Sequence, residues 1–217
     1  MIAEEIVLHQ VHLPPRDQGR RPTCIAFALS EVNLQHATNL EALSPEHLYQ
    51  EAASMVPHWS PMDGIPLNLA LQAASTGQPE EKDYPYQQEE PRSPVAPPPR
   101  NMTLYGARVE RLPSDSGSII KVVRNQQPIG LGLQLTQSFF CPLGGLIEFE
   151  EIALPDVLHA VTVVGLGWKD GEPHFLIRNS WGEHWGLDGS AWLPDSYVRT
   201  HTICAFGGQG GETVQCR

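Results

Sequence analysis

A proline-dense run, Pro91, Pro94 and Pro97-Pro98-Pro99, constrains this 217-residue chain more than any other stretch. Proline has no amide hydrogen and holds φ at about −65°, so residues 87–100 are unsuited to helix or sheet interiors and read as an extended crossing segment. The hydrophobic periodicity differs on its two sides. Residues 1–15 read as an extended entry ending in Pro14-Pro15. A first helix is expected from Cys24 to about His36, with an apolar stripe of Ile25, Ala28, Leu29 and Val32 and a break at Thr38-Asn39. A second opens at Ser44-Pro45, serine as N-cap and proline at the first helical position, and a third runs from Leu67 to Ser75 before Thr76-Gly77. After the crossing segment, Thr103 to Leu112 alternates as a strand and Ser116 to Asn125 as a helix. Strands are expected at Ile129–Leu135, Leu146–Phe149, Ala160–Trp168, His174–Arg178, Ser190–Leu193 and Thr202–Phe206, with Lys169-Asp170-Gly171 as a hairpin turn. Helices followed by strands describe an α+β chain: a mainly helical lobe over 16–86, the crossing segment, and a β-rich lobe over 101–217, with the groove between them as the default place for a site.

At 41% apolar the chain can bury a substantial core, as one domain or as two closely packed lobes. A net charge of −11 without a block of like charges argues against nucleic acid and anionic membrane as partners. No apolar run approaches membrane-spanning length, and the acidic N-terminus lacks the basic start of a signal peptide, so a cytoplasmic location is expected. The cysteines are Cys24, Cys141, Cys204 and Cys216. With Cys24 as a free thiol the other three are an odd number, which suits a reducing compartment; a single Cys204–Cys216 bridge is the alternative. The histidines show no zinc-ligand spacing, so no metal and no cofactor is expected.

Three stretches carry chemistry. Arg16 to Glu31 delivers Cys24 to the first turn of a helix, where unpaired amides and the positive end of the helix dipole favour a thiolate. His159 begins an apolar strand and Asn179 ends its hairpin partner, so the two can touch. An asparagine oxygen accepting from one imidazole nitrogen fixes the tautomer and aims the other nitrogen outward, toward Cys24 if that residue lies across the groove. Gln18 on the polar turn can offer its side-chain amide, beside the Cys24 backbone amide, to a developing oxyanion.

Asp17-Gln-Gly…Cys24-x-Ala-Phe, His159-Ala-Val-x-x-Val-Gly-x-Gly and Arg178-Asn-Ser-Trp-Gly…Trp185-Gly…Gly-x-x-Trp192 resemble, in order, the signature blocks of papain-like cysteine peptidases. The likeness extends to Leu43-Ser-Pro-Glu-His-Leu, Asp63-Gly64 and Tyr84-Pro-Tyr86, nearly the whole chain. It implies a two-lobe fold with a helical lobe and an antiparallel β-barrel-like lobe. It also implies Cys24 as nucleophile, His159 as general acid and base, Asn179 as its orienting amide, Gln18 as oxyanion donor and Trp181 as the indole covering the His–Asn bond. Gly64 matches a loop whose backbone pairs with an extended substrate, with Asp63, Ile25 and Leu158 beside the substrate path. The chain departs from the resemblance at Arg21-Pro22-Thr23-Cys24-Ile25, where the family usually shows Cys-Gly-Ser-Cys-Trp. The disulfide that would start at position 21 cannot form, Ile25 thins the wall beside the nucleophile, and Arg20-Arg21 would add positive charge there.

The expected activity is a cysteine endopeptidase working through a Cys24 thiolate, a His159 imidazolium and an acyl-enzyme on protein or peptide substrates. The matched region begins almost at Met1, which leaves no room for a long inhibitory propeptide, so narrow specificity or a protein inhibitor or regulator is expected to restrain it. Alternatives are a transpeptidase or leader-processing enzyme using the same acyl-enzyme, an exported effector protease, and an inactive papain-like binding module.

Overall fold

The computed structural model describes residues 1–35, 42–89, 102–106 and 108–208. Met1–Asp17 with Arg111–Gly207 form one compact unit, and Gln18–Glu110 belong to a second. Residues 90–100 of the expected crossing segment lie outside the described residues, as do the expected end of the first helix at His36, the break at Thr38-Asn39, and Cys216 with its alternative bridge to Cys204.

Alternating apolar residues build a seven-stranded antiparallel sheet, all of it in the first unit except Val109, Glu110 and Gly208. Its strands are β1 (Ala3–Val7), β2 (Val109–Leu112), β3 (Ile129–Gln134), β4 (Leu158–Lys169), β5 (Glu172–Arg178), β6 (Ser190–Pro194) and β7 (Thr202–Gly208), in the spatial order β2-β7-β3-β4-β5-β6. The long strand β4 shares one edge between two partners: β3 covers it from Leu158 to Val163, and β1 continues from Gly165 to Trp168. The extended entry segment thus becomes a strand because β4 outruns β3. Asp170 and Gly171 both have positive φ, 53° and 81°, the backbone of the tight turn that the β4–β5 hairpin needs.

The sheet does not close into a barrel, contrary to the barrel-like lobe expected. β2 and β6 end the strand order unpaired with one another. The outer edge of β6 is satisfied locally instead: Trp192 N–H donates to Gly145 O and accepts, through its carbonyl, from Ile147 N–H, at 2.7 and 3.0 Å. The same contacts explain why Leu146–Phe149 is not a strand. Leu143 and Leu146 exchange backbone bonds in a turn through Gly144 and Gly145, both at positive φ, leaving isolated bridges. The Thr103–Leu112 strand is likewise shortened, to a Gln78–Tyr105 bridge and then β2.

Two helices pack on this sheet, α4 (Ser116–Arg124), capped by Asp115, and α5 (Asp195–His201), which the periodicity did not announce. Ile119, Val123, Leu131, Leu133, Val161, Val163, Phe175, Ile177 and Tyr197 form a core around the fully buried Phe139.

The second unit holds α1 (Cys24–Leu34), α2 (Pro45–Ser54) and α3 (Leu67–Thr76). Helix α1 is buried from Ala26 to Leu34, all around rather than along one stripe. Ser44 caps α2 by accepting from His47 N–H at 3.0 Å, and Gly77, at φ 94°, stops α3. The polar groups between the helices are joined by the buried Gln78, which accepts from Asn33 Nδ2 and donates to Ser30 Oγ and Ser44 O.

Candidate active site

In the sheet unit, His159 is the second residue of β4, paired in register with Leu133, and Asn179 follows the last residue of β5. The hairpin brings them together: His159 Nε2 lies 2.6 Å from Asn179 Oδ1. The same oxygen accepts from Ser180 N–H at 2.8 Å. A backbone amide can only donate, so the amide's orientation is settled and Nε2 must carry the proton. The lone pair of the neutral ring is then on Nδ1.

Aromatic rings enclose this pair. The Trp181 indole lies 4.6 Å from the imidazole, centroid to centroid, and Phe139 meets it edge-on at 5.9 Å. Phe140 stacks on Trp181 at 5.3 Å, and Trp185 donates from Nε1 to Phe139 O. Burial lowers the His159 pKa to about 4, against an opposing pull from the Asn179 hydrogen bond. An imidazole so placed is a neutral proton acceptor that becomes a cation only beside an anion. Trp181 is itself held by an antiparallel bridge to Asp17, next to a Gly182 N–H to Arg16 O bond of 2.9 Å. Leu158 stands largely exposed at the start of β4.

In the helical unit, Cys24 is the first residue of α1 and is partly buried. Thr23 occupies the N-cap position without capping by its side chain; its hydroxyl pairs with Tyr86 OH at 2.8 Å. Gln18 is buried, and its Nε2 donates to Arg21 O at 2.8 Å. The positive charge that Arg21 was expected to add beside the nucleophile is buried and countered. Arg21 is 1% exposed and forms an ion pair with the equally buried Glu46, while Arg20 remains exposed. Ile25 is partly buried. Asp63 closes a turn on Ser60, and its carbonyl accepts from Tyr49 OH at 2.8 Å. The exposed Gly64 backs onto Pro22 O; a Cβ there would sit 3.9 Å away, an ordinary contact, so its helical-unit neighbours do not demand a glycine. Among the described residues no three His, Cys, Asp or Glu side chains gather as a metal ion requires. None of the helices there is long and apolar enough to cross a membrane.

The model for papain family cysteine protease matches residues 10–203. The chain belongs to that family. It is 28% identical to cathepsin R of Mus musculus over 185 residues, 81% of this chain and 55% of that protein, so it spans about half the length of this curated relative. A clostridial cysteine protease, Cwp84, superposes with a TM-score of 0.72 at 19% identity, over 94% of this chain and 56% of the other. Digestive procathepsin L 3 of the Tenebrio molitor larval midgut does so with 0.70 at 23%, over 94% and 67%. At such identities the superpositions speak for the papain-like fold alone.

Within this family member, then, one unit assembles His159, Asn179 and Trp181, and the other binds Gln18 into the loop before Cys24. Sequence reasoning missed Phe139 and Phe140, which lie on a short 3-10 helix, Gln137–Phe140, with no periodic signal. It also missed the contacts of Glu46 and Tyr86. Both belong to stretches that stood out, Ser44-Pro-Glu-His and Tyr84-Pro-Tyr, yet nothing local told that they meet Arg21.

Proposed function

We propose that this chain is a cysteine endopeptidase of narrow specificity. In this reading Cys24, as thiolate, attacks a peptide carbonyl while Gln18 and the Cys24 amide stabilise the oxyanion. The His159 imidazolium gives its Nδ1 proton to the leaving amine, which breaks the C–N bond and leaves a thioester on Cys24. The neutral ring then takes a proton from water, whose oxygen displaces the thiolate and releases the acid. Gly64, Asp63, Ile25 and Leu158 line the substrate path, and a thiol nucleophile suits a reducing compartment.

The observation that carries the reading is the double acceptance by Asn179 Oδ1, from His159 and from Ser180 N–H, under the Trp181 ring. A buried histidine with one tautomer enforced by a backbone amide is arranged for proton transfer rather than packing. Further support comes from the chain path, because Asp17, bridged to Trp181, directly precedes Gln18. The test is digestion of a diverse peptide library read by mass spectrometry, with the epoxide thiol inhibitor E-64 as active-site label. Hydrolysed products from a restricted set of sites, abolished together with labelling by Cys24→Ala, are expected. Ligated products alone would replace hydrolysis by transfer, a flat cleavage profile would refute narrow specificity, and a folded protein that neither cleaves nor labels would refute the enzyme.

A further inference from the structure

Arg21 is among the largest fully buried side chains of the molecule and stands three residues before Cys24. Its Nη2 donates to Glu46 Oε1 at 3.1 Å, while Nη1 donates to Glu46 Oε2 and to Gln87 O. Its guanidinium carbon lies 5.2 Å from the centre of the Tyr49 ring and 5.0 Å from that of Tyr86. Glu46, fully buried, also accepts from Gln50 Nε2 at 2.6 Å and Gln87 N–H at 3.2 Å. Such a pair, even when fully satisfied, stabilises a fold little more than apolar residues of the same volume would. Stability alone therefore gives no reason for an arginine here.

The main chain of Arg21 supplies one. Its carbonyl accepts from Gln18 Nε2 and from Thr23 N–H, both at 2.8 Å. The Tyr86 hydroxyl donates to Gln18 O and meets Thr23 Oγ1, again both at 2.8 Å. The side chain of Arg21 is thus the anchor, its carbonyl is the aiming point for the Gln18 carboxamide, and Tyr86 ties the residues on either side. A planar fork held on Glu46 and stacked between two rings resists rocking as a lysine's single point charge would not.

We infer that the buried Arg21–Glu46 pair, with Tyr86, is a positioning device that holds the Gln18 carboxamide in one orientation in the loop leading to Cys24. It deepens the peptidase reading, on which only its kinetic consequence rests.

The test uses Arg21→Met/Glu46→Leu, which removes both charges together and leaves neither unpaired. The Gln18 side-chain amide is followed by NMR of protein labelled with 15N-glutamine and assigned by its loss in Gln18→Ala. In the parent it is expected as a dispersed, slowly exchanging pair; in the folded double variant it should collapse to the shifts of a free glutamine. With the best library peptide, kcat should fall about ten- to a hundredfold with KM held within about twofold, part of the loss typical for a missing oxyanion donor. An amide that stays in place in the folded double variant overturns the inference even if kcat falls, since the pair then acts on the fold alone. Where the parent cleaves peptides, an unchanged kcat in the folded double variant overturns it too. A parent that cleaves nothing removes the peptidase reading, while the amide signal still decides this one. Should the double variant fail to fold, Tyr86→Phe decides, because it keeps the ring and deletes the hydroxyl. A smaller shift of the amide and a kcat about three- to tenfold lower are expected, and an unmoved amide overturns the inference.

Discussion

Replacing Cys24 by alanine should return His159 to the titration that its burial dictates. Burial brings the ring from 6.5 down to about 4, even with the Asn179 hydrogen bond pulling the other way. At about 1.4 kcal/mol per tenfold change, that drop opposes the imidazolium by about 3 kcal/mol. For His159 to be a cation at neutral pH, some anion must supply about 4 kcal/mol. In the proposed mechanism that anion is the Cys24 thiolate, which at about 4 Å and an effective dielectric of about 20 would supply about 4 kcal/mol. The assay is 15N NMR of the imidazole nitrogens across pH. In Cys24→Ala the ring is expected neutral down to about pH 4, protonated on Nε2; in the parent, with about 4 kcal/mol from the thiolate, it is expected charged up to about pH 7. The linkage has a definite sign. In the alanine variant the folded-state value lies below that of the unfolded chain, so the contribution of His159 to stability is complete above 6.5 and is lost as pH falls toward about 4, by about 3 kcal/mol. Titration of the variant near 6.5 would refute the burial argument. A neutral ring in the parent at pH 7 would refute the ion pair.

The aromatic cover can be tested in the same background: Trp181→Ala admits water beside the imidazole, and the His159 titration should rise from about 4 back toward 6.5 by the same NMR measurement. Asn179→Ala removes the acceptor of both His159 Nε2–H and Ser180 N–H. Each stranded buried donor costs about 1–3 kcal/mol by denaturant melting, and peptide turnover should drop by at least about tenfold with KM little changed. His47 is 4% exposed and edge-on to Tyr84, with no hydrogen bond at Nδ1, and burial lowers it to about 4. Its folded value is below the unfolded one, so stability is lost as pH falls from 6.5 toward 4, and His47→Phe should reduce the acid-side loss at pH 4 by about 3 kcal/mol in urea titrations.

Much of the fold was legible because its signals are short-range. Ser44-Pro45 starts a helix by chemistry confined to three residues, and Asp170-Gly171 turns a hairpin because those residue types accept positive φ. The hairpin in turn made the His159–Asn179 contact legible, since strand partners are neighbours whatever surrounds them. Cys24 at the first turn of α1 was readable for the same reason. What failed to be legible depends on residues far apart in the chain. Leu146–Phe149 has the composition of a strand, but two glycines turn it before it can run along β6. Closure of the sheet could not be judged from alternation, which says which face is buried and nothing about what covers an edge. Arg21, expected to add positive charge beside the nucleophile, lies buried because Glu46, 25 residues on, supplies its countercharge.

The sequence by itself determined the residue types and their local backbone: a thiol at a helix start, an imidazole and an amide on one hairpin, a carboxamide on the preceding turn. The tertiary structure alone decided their protonation and orientation. Ser180 N–H and Trp181 select the His159 tautomer and its low basicity, and the Arg21–Glu46 pair sets the carbonyl on which Gln18 rests. Tautomer, desolvation and aim are properties of an enclosure, and an enclosure is made by segments that the chain order keeps apart.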